Sequence, residues 1–223
     1  MVCLYICLHY NIGYLGVCFP AVLSVFDSMP HNMDALPSHM GVRVEVRRGD
    51  TLWQLLTDLQ EGDLSVEGRA VVVVGVATND LCAEEWVDSR SAKEHAACKM
   101  NVLRMILDEI KTKNASAYVV LLSVLPRPCD DEHTSECVKE YNRLLRAHAF
   151  GNRLGYIPTW TSFVQKRPHH EKAIIKKELY SKKRLHLNSK GARVLWARLQ
   201  QALCKSSLNV MAARAIPPVT IPW

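Results

Sequence analysis

Four short segments carry residue types that do chemistry, and each follows or precedes a regular element. Asp27-Ser28 offers a hydroxyl, and Gly49 offers a backbone without a Cβ. Thr78-Asn79-Asp80 offers an amide and a carboxylate, and Leu185-His186-Leu187-Asn188, followed by Gly191, offers an imidazole. A lone serine or histidine is more often structural than catalytic, so the elements that place these residues decide whether they can act together.

Those elements read as alternating strands and helices. Ala21 to Phe26 is a short apolar run, and Val42 to Val46 alternates valine with charge. Thr51 to Leu59 places four leucines on one helical face, with Asp50 or Thr51 able to cap its start. Val71 to Val74 is a β-branched run without polar alternation, as expected of a central strand covered on both faces. Helices follow over Ala92 to Lys111, Val138 to Ala149 and Ser189 to Cys204, with strands over Ala117 to Leu125 and Gly155 to Ile157. The alternation predicts a three-layer α/β/α domain around a mostly parallel sheet, flavodoxin-like in plan, whose ligands bind at the carboxyl ends of the strands. Ser28, Gly49 and Asn79 fall at such ends, and His186 lies in the loop entering the last helix.

Length and composition fit one such domain. The 223 residues are 48% hydrophobic and 22% charged, enough for a single sizeable core and far from the signature of disorder. Residues 20–205 read as the domain, 1–19 as an apolar segment and 206–223, with three prolines, as a poorly ordered tail. No Asp, Glu, Lys or Arg occurs before Asp27, which leaves a membrane-proximal role open for the start of the chain; the absence of a basic flank and the breaks at Gly13, Gly16 and Pro20 fit neither a signal nor a spanning helix well. The eight cysteines show no Cys-x-x-Cys pair and no histidine at a familiar zinc spacing. They read as reduced thiols in an intracellular setting, with no metal or cofactor expected. Lys166 to Lys190 holds nine Lys/Arg against two Glu, a local net charge of +7 in a chain of net charge +6. A solvated face explains such a cluster; contact with nucleic acid or another anionic surface is the alternative.

Taken in order, the four segments resemble the blocks of the SGNH-hydrolase, or GDSL-esterase, family: Ser in Gly-Asp-Ser, a Gly, Asn in Gly-x-Asn-Asp and His in Asp-x-x-His. Leu125-Pro126-Arg127, Tyr141-Asn142-Arg143-Leu144-Leu145 and Leu179-Tyr180-Ser181 further resemble the SGNH-like domains of retroelement-derived reading frames. The resemblance runs from about Pro20 to Cys204. It implies Ser28 as nucleophile and His186 as the base that takes its proton. It also implies the backbone N–H groups of Ser28 and Gly49 with the Asn79 amide as oxyanion donors, and a small-molecule or glycan ester as substrate.

Three positions depart from the pattern. Phe26 replaces the Gly before Asp-Ser, where its bulk is expected to alter the nucleophile turn or crowd the pocket. Ala77 replaces the Gly of Gly-x-Asn-Asp, which is tolerable if φ is negative. Lys183 stands where the family has the Asp that orients the imidazole, and a cation there disfavours the imidazolium. Glu178 lies too far from His186 in sequence to be assigned that role. Activity is therefore open between a weak ester hydrolase and a catalytically impaired binding module. Asp27 and Asp80 are expected to bond loop backbone, Asn188 to cap the last helix, His169-His170 to lie in solvent, and Trp53, Trp86, Trp160 and Trp196 to pack in the core or at its rim.

Overall fold

The computed structural model describes residues 22–26, 42–47, 49–82, 91–165, 174–183 and 185–215. Five parallel strands, β1 (Val22–Phe26), β2 (Val42–Val46), β3 (Val71–Gly75), β4 (Tyr118–Leu122) and β5 (Gly155–Ile157), form a sheet of order β2-β1-β3-β4-β5. The valine run is thus the middle strand. Because side chains alternate across a strand, its valines divide between two cores. Val72 and Val74 join Leu23, Val25 and Leu121 on one face; Val71 and Val73 join Val22, Phe26 and Val120 on the other.

The first face is covered by α1 (Leu52–Glu61), α3 (Ala92–Lys113) and α4 (Glu132–Gly151), with α3 packed against both of the others. Helix α1 begins in a capping box between Thr51 and Gln54, and buries Leu52, Leu55, Leu56 and Leu59. The box contributes about 1 kcal/mol, whereas each leucine removed from water contributes about 1.5–3 kcal/mol, so burial of the apolar stripe holds the helix and the cap sets its start. Helix α2 (Thr78–Cys82) is a single turn after β3, where a loop was expected.

The second face is covered by α6 (Ser189–Ala215) through Leu195, Trp196, Leu199 and Leu203, together with Leu179, Tyr180 and Leu187 from the segment before it. Between β5 and α6 lie the short α5 (Trp160–Phe163), a small antiparallel ladder of β6 (Val164–Gln165) with β7 (Ile174–Ile175), and a 3₁₀ turn over Lys177–Leu179. Helix α6 continues past the expected end at Cys204, because neither glycine nor proline interrupts the chain between there and Pro217. Helix α4 likewise starts earlier than its apolar spacing suggests, at an Asp131 cap whose carboxylate accepts from the Thr134 N–H at 2.7 Å. No helix among the described residues is long and apolar enough to cross a membrane, and the segment 1–19 lies outside them.

Phe26 is a core residue, 1% exposed, at the end of β1. Its ring fills the space beside Gly75, its partner on β3, where an added Cβ would lie 2.6 Å from the ring. The bulk expected to crowd a pocket is instead taken up by the missing side chain opposite. Gly75→Ala should therefore cost about 1–3 kcal/mol in denaturant unfolding. Phe26→Leu should recover part of that loss, so the double variant should be more stable than the two single losses added together predict.

Candidate active site

The carboxyl ends of β2, β1 and β3 lie side by side, and the chain beyond them is held by a small set of polar bonds. Past β2, the Arg47 N–H donates to the Phe26 carbonyl at 2.7 Å, and the Asp50 N–H closes a turn on the Arg47 carbonyl. Gly49 sits in that turn with φ 83°, and nothing lies within 4 Å of where a Cβ would be. Glycine is required there by backbone angle and not by space.

Past β3, helix α2 presents two adjacent side chains to that turn. The Asn79 Nδ2 donates to the Asp50 carbonyl at 2.9 Å. Asp80 is 2% exposed and accepts from the Leu52 N–H at 2.9 Å, adding a carboxylate to the positive end of α1. Its other oxygen lies 3.4 Å from Nζ of Lys99, a buried lysine on α3. Asp80 thus bonds loop backbone as expected, and the lysine supplies the countercharge without which a carboxylate so deeply buried is costly. Asp50 beside them has its carboxyl pushed up from the ordinary carboxylate range, chiefly by burial and then by Asp58, with Arg47 opposing.

Ala77 precedes this pair with φ 97°. The replacement of glycine at this position therefore falls on a left-handed backbone, contrary to the condition under which it is mild. The Leu81 N–H bonds the Ala77 carbonyl, and Ala77 is 1% exposed, so surrounding contacts hold the strained residue in place.

His186 belongs to a tight hairpin. Tyr180 and Leu187 form an antiparallel bridge, the Ser181 N–H donates to the His186 carbonyl at 2.8 Å, and Lys182 and Lys183 project from the exposed tip. Asn188 locks its base: Oδ1 accepts from the Gly191 N–H at 3.0 Å, capping α6, while Nδ2 donates to the carbonyls of Glu178 and Tyr180, each at 2.9 Å. The buried Tyr180 hydroxyl donates to the Pro126 carbonyl in the segment after β4, which fastens the hairpin to the carboxyl edge of the sheet. Burial raises the Tyr180 phenol far above its ordinary range, with Asp130 and Cys129 adding to the effect.

Gly49 and Asn79 are brought together, Asn79 bonding the residue next to Gly49; Ser28 lies outside the described residues, as do Asp27, Trp86 and His169-His170. Glu178 is exposed in the 3₁₀ turn and gives the hairpin its backbone carbonyl. Of the basic segment, Lys166, Arg167, Lys172 and Arg184 lie outside the described residues, and Lys176 is spent internally on the Ser162 carbonyl at 3.0 Å. Trp196 is a core residue and Trp160 packs against the other core, whereas Trp53 is 53% exposed on α1. Lys99 was not foreseen, since its partner comes from another element. Nor was the grouping of Cys137 with His133 and His95. Its signal was a His-x-x-x-Cys step on α4, with the third member 42 residues from the cysteine.

This is a three-layer α/β/α domain with its polar constellation at the strand ends, the layout of an SGNH hydrolase. The GDSL-like lipase/acylhydrolase family profile matches residues 24–194, and the chain belongs to that family. Similar solved structures include a GDSL-like lipase from Bacteroides thetaiotaomicron (20% identity, TM-score 0.61, 83% of this chain and 88% of that one). An acetylxylan esterase from Geobacillus stearothermophilus (15%, 0.60, 82% and 94%) and a lipolytic G-D-S-L protein from Veillonella parvula (15%, 0.53, 81% and 96%) share the fold as well. No curated protein matches.

Two substitutions test the backbone geometry. Ala77→Gly should raise unfolding stability by about 1 kcal/mol and Gly49→Ala should lower it by about 1–2 kcal/mol, both read from denaturant midpoints. Tyr180→Phe, which leaves the Pro126 carbonyl without its donor, should cost about 1–3 kcal/mol.

Proposed function

We propose that the protein is a serine ester hydrolase whose turnover is weakened by the residue at position 183. The Ser28 hydroxyl attacks the ester carbonyl as His186 takes its proton. The oxyanion is held by the Ser28 and Gly49 N–H groups and the Asn79 amide. Collapse expels the alcohol, which takes the proton from His186, and water then releases the acid from Ser28 by the same path. The observation that supports this reading is the bond from Asn79 to the Asp50 carbonyl, beside Gly49, which ties together the segments after β2 and β3, the two strands that flank β1. Family membership supports an ester as substrate, and the fold shared with an acetylxylan esterase is consistent with a carbohydrate ester.

Lys183 favours low turnover. It stands exposed, three residues before His186, and a cation near an imidazole opposes its protonation. In the serine-protease template, replacing the orienting carboxylate by an amide lowers kcat about ten-thousandfold, which sets the scale.

Mass spectrometry after fluorophosphonate treatment tests the assignment. Slow labelling at Ser28 is expected, abolished in Ser28→Ala and His186→Ala and accelerated in Lys183→Asp. A folded protein that stays unlabelled in both the wild type and Lys183→Asp would overturn the nucleophile assignment.

A further inference from the structure

Away from the strand ends, helices α3 and α4 bring together three side chains that the proposed hydrolysis does not use. His95 is in the first turns of α3, and His133 and Cys137 are four residues apart on α4, so the latter two share one helix face. The Cys137 sulfur lies 3.8 Å from Nδ1 of His95 and 3.6 Å from Nε2 of His133, and one ligand atom from each residue falls within 4.8 Å of the others.

Those separations are close to what a tetrahedral ion requires. With bonds of about 2.0–2.1 Å to nitrogen and 2.3 Å to sulfur, neighbouring ligand atoms stand roughly 3.5 Å apart. The two sulfur–nitrogen separations need change only by tenths of an ångström to share one ion, and the two imidazole nitrogens, within 4.8 Å of each other, must close to a similar spacing. Cys137 is fully buried and His95 is 6% exposed, so two ligands are fixed by the packing of the helices. His133 is exposed and provides the entry path. Two imidazoles and a thiolate suit a borderline-soft divalent ion, and not magnesium or calcium.

We propose that His95, His133 and Cys137 form a zinc-type site that cross-links α3 to α4. Burial pushes the Cys137 thiol up, with Asp131 and Glu136 adding to the effect. A bound divalent cation supplies the charge that deprotonates it, and the released proton passes to solvent.

Cobalt(II), which takes the same geometry and is coloured, is the probe. The full chain, first stripped with a chelator and kept reduced, is titrated with cobalt and followed by absorption. One equivalent should bind with thiolate-to-cobalt charge-transfer bands and the visible bands of a tetrahedral ion, and zinc should bleach them. Losing an outer partner of a metal ligand already costs about 10–100-fold in affinity, so His133→Ala should weaken binding by more than about 100-fold. Cys137→Ser should abolish the charge-transfer band. Zinc in large excess over its dissociation constant should raise the wild-type melting temperature by roughly 5 °C and leave His133→Ala unmoved. His133 is exposed, so its variant keeps the fold even if Cys137→Ser does not. The site is ruled out if no such bands form, or if they survive His133→Ala undiminished because other cysteines hold the ion.

Discussion

Strand β3 is paired with a parallel neighbour on each side and covered on both faces, so its backbone is committed to the sheet and its four valines to the two cores. That commitment forces polar chemistry to the strand ends, where backbone leaves the sheet and needs new partners. Gly75 and the strained Ala77 follow at once: the chain has to pass a buried phenylalanine and then turn sharply enough to start α2 within three residues.

What then orders the turn regions is a clamp that reaches from the segment after β3 to the turn after β2, on the far side of β1. Asn79 and Asp80, adjacent on α2, hold the backbone on either side of Thr51, so the Gly49 turn and the start of α1 cannot move independently of the segment after β3. Lys99 adds a charge from α3 to the same point. The opposite side of the constellation is built separately, as a hairpin whose Asn188 both caps α6 and binds the two ends of the loop. Gly191 is part of that construction, since a Cβ would come within 2.1 Å of the Leu179 carbonyl.

The layered fold was legible because its signals are local. Four consecutive valines imply two covered faces, and leucines at helical spacing imply a single covered one. Helix starts were less legible where a cap such as Asp131 precedes a polar first turn, and α6 overran its expected end because no breaker stops it before Pro217. Of the candidate site, order along the chain pointed to Gly49 and Asn79, which the structure links through the Asp50 carbonyl, and to His186 in the hairpin before α6. Its tertiary partners were not legible. Nothing near Asp80 in sequence points to Lys99, nor does His133 point to His95; such pairs exist only once helices cross. The φ of Ala77 was likewise beyond inference from residue type, since alanine ordinarily signals the opposite backbone region.

The two faces of the sheet are covered by different stretches of chain: one by helices that end before β5, the other almost wholly by residues after it. As a nascent polypeptide emerges, the first side can close while the second still awaits its cover. Val22, Phe26, Val71, Val73 and Val120 then form an apolar platform open to water, and only the arrival of Leu179 to Leu203 seals it. The same late segment carries His186. Completion of the hydrophobic interior and arrival of that imidazole are thus one event in the life of the chain, and a molecule interrupted before that point keeps an apolar face open to water.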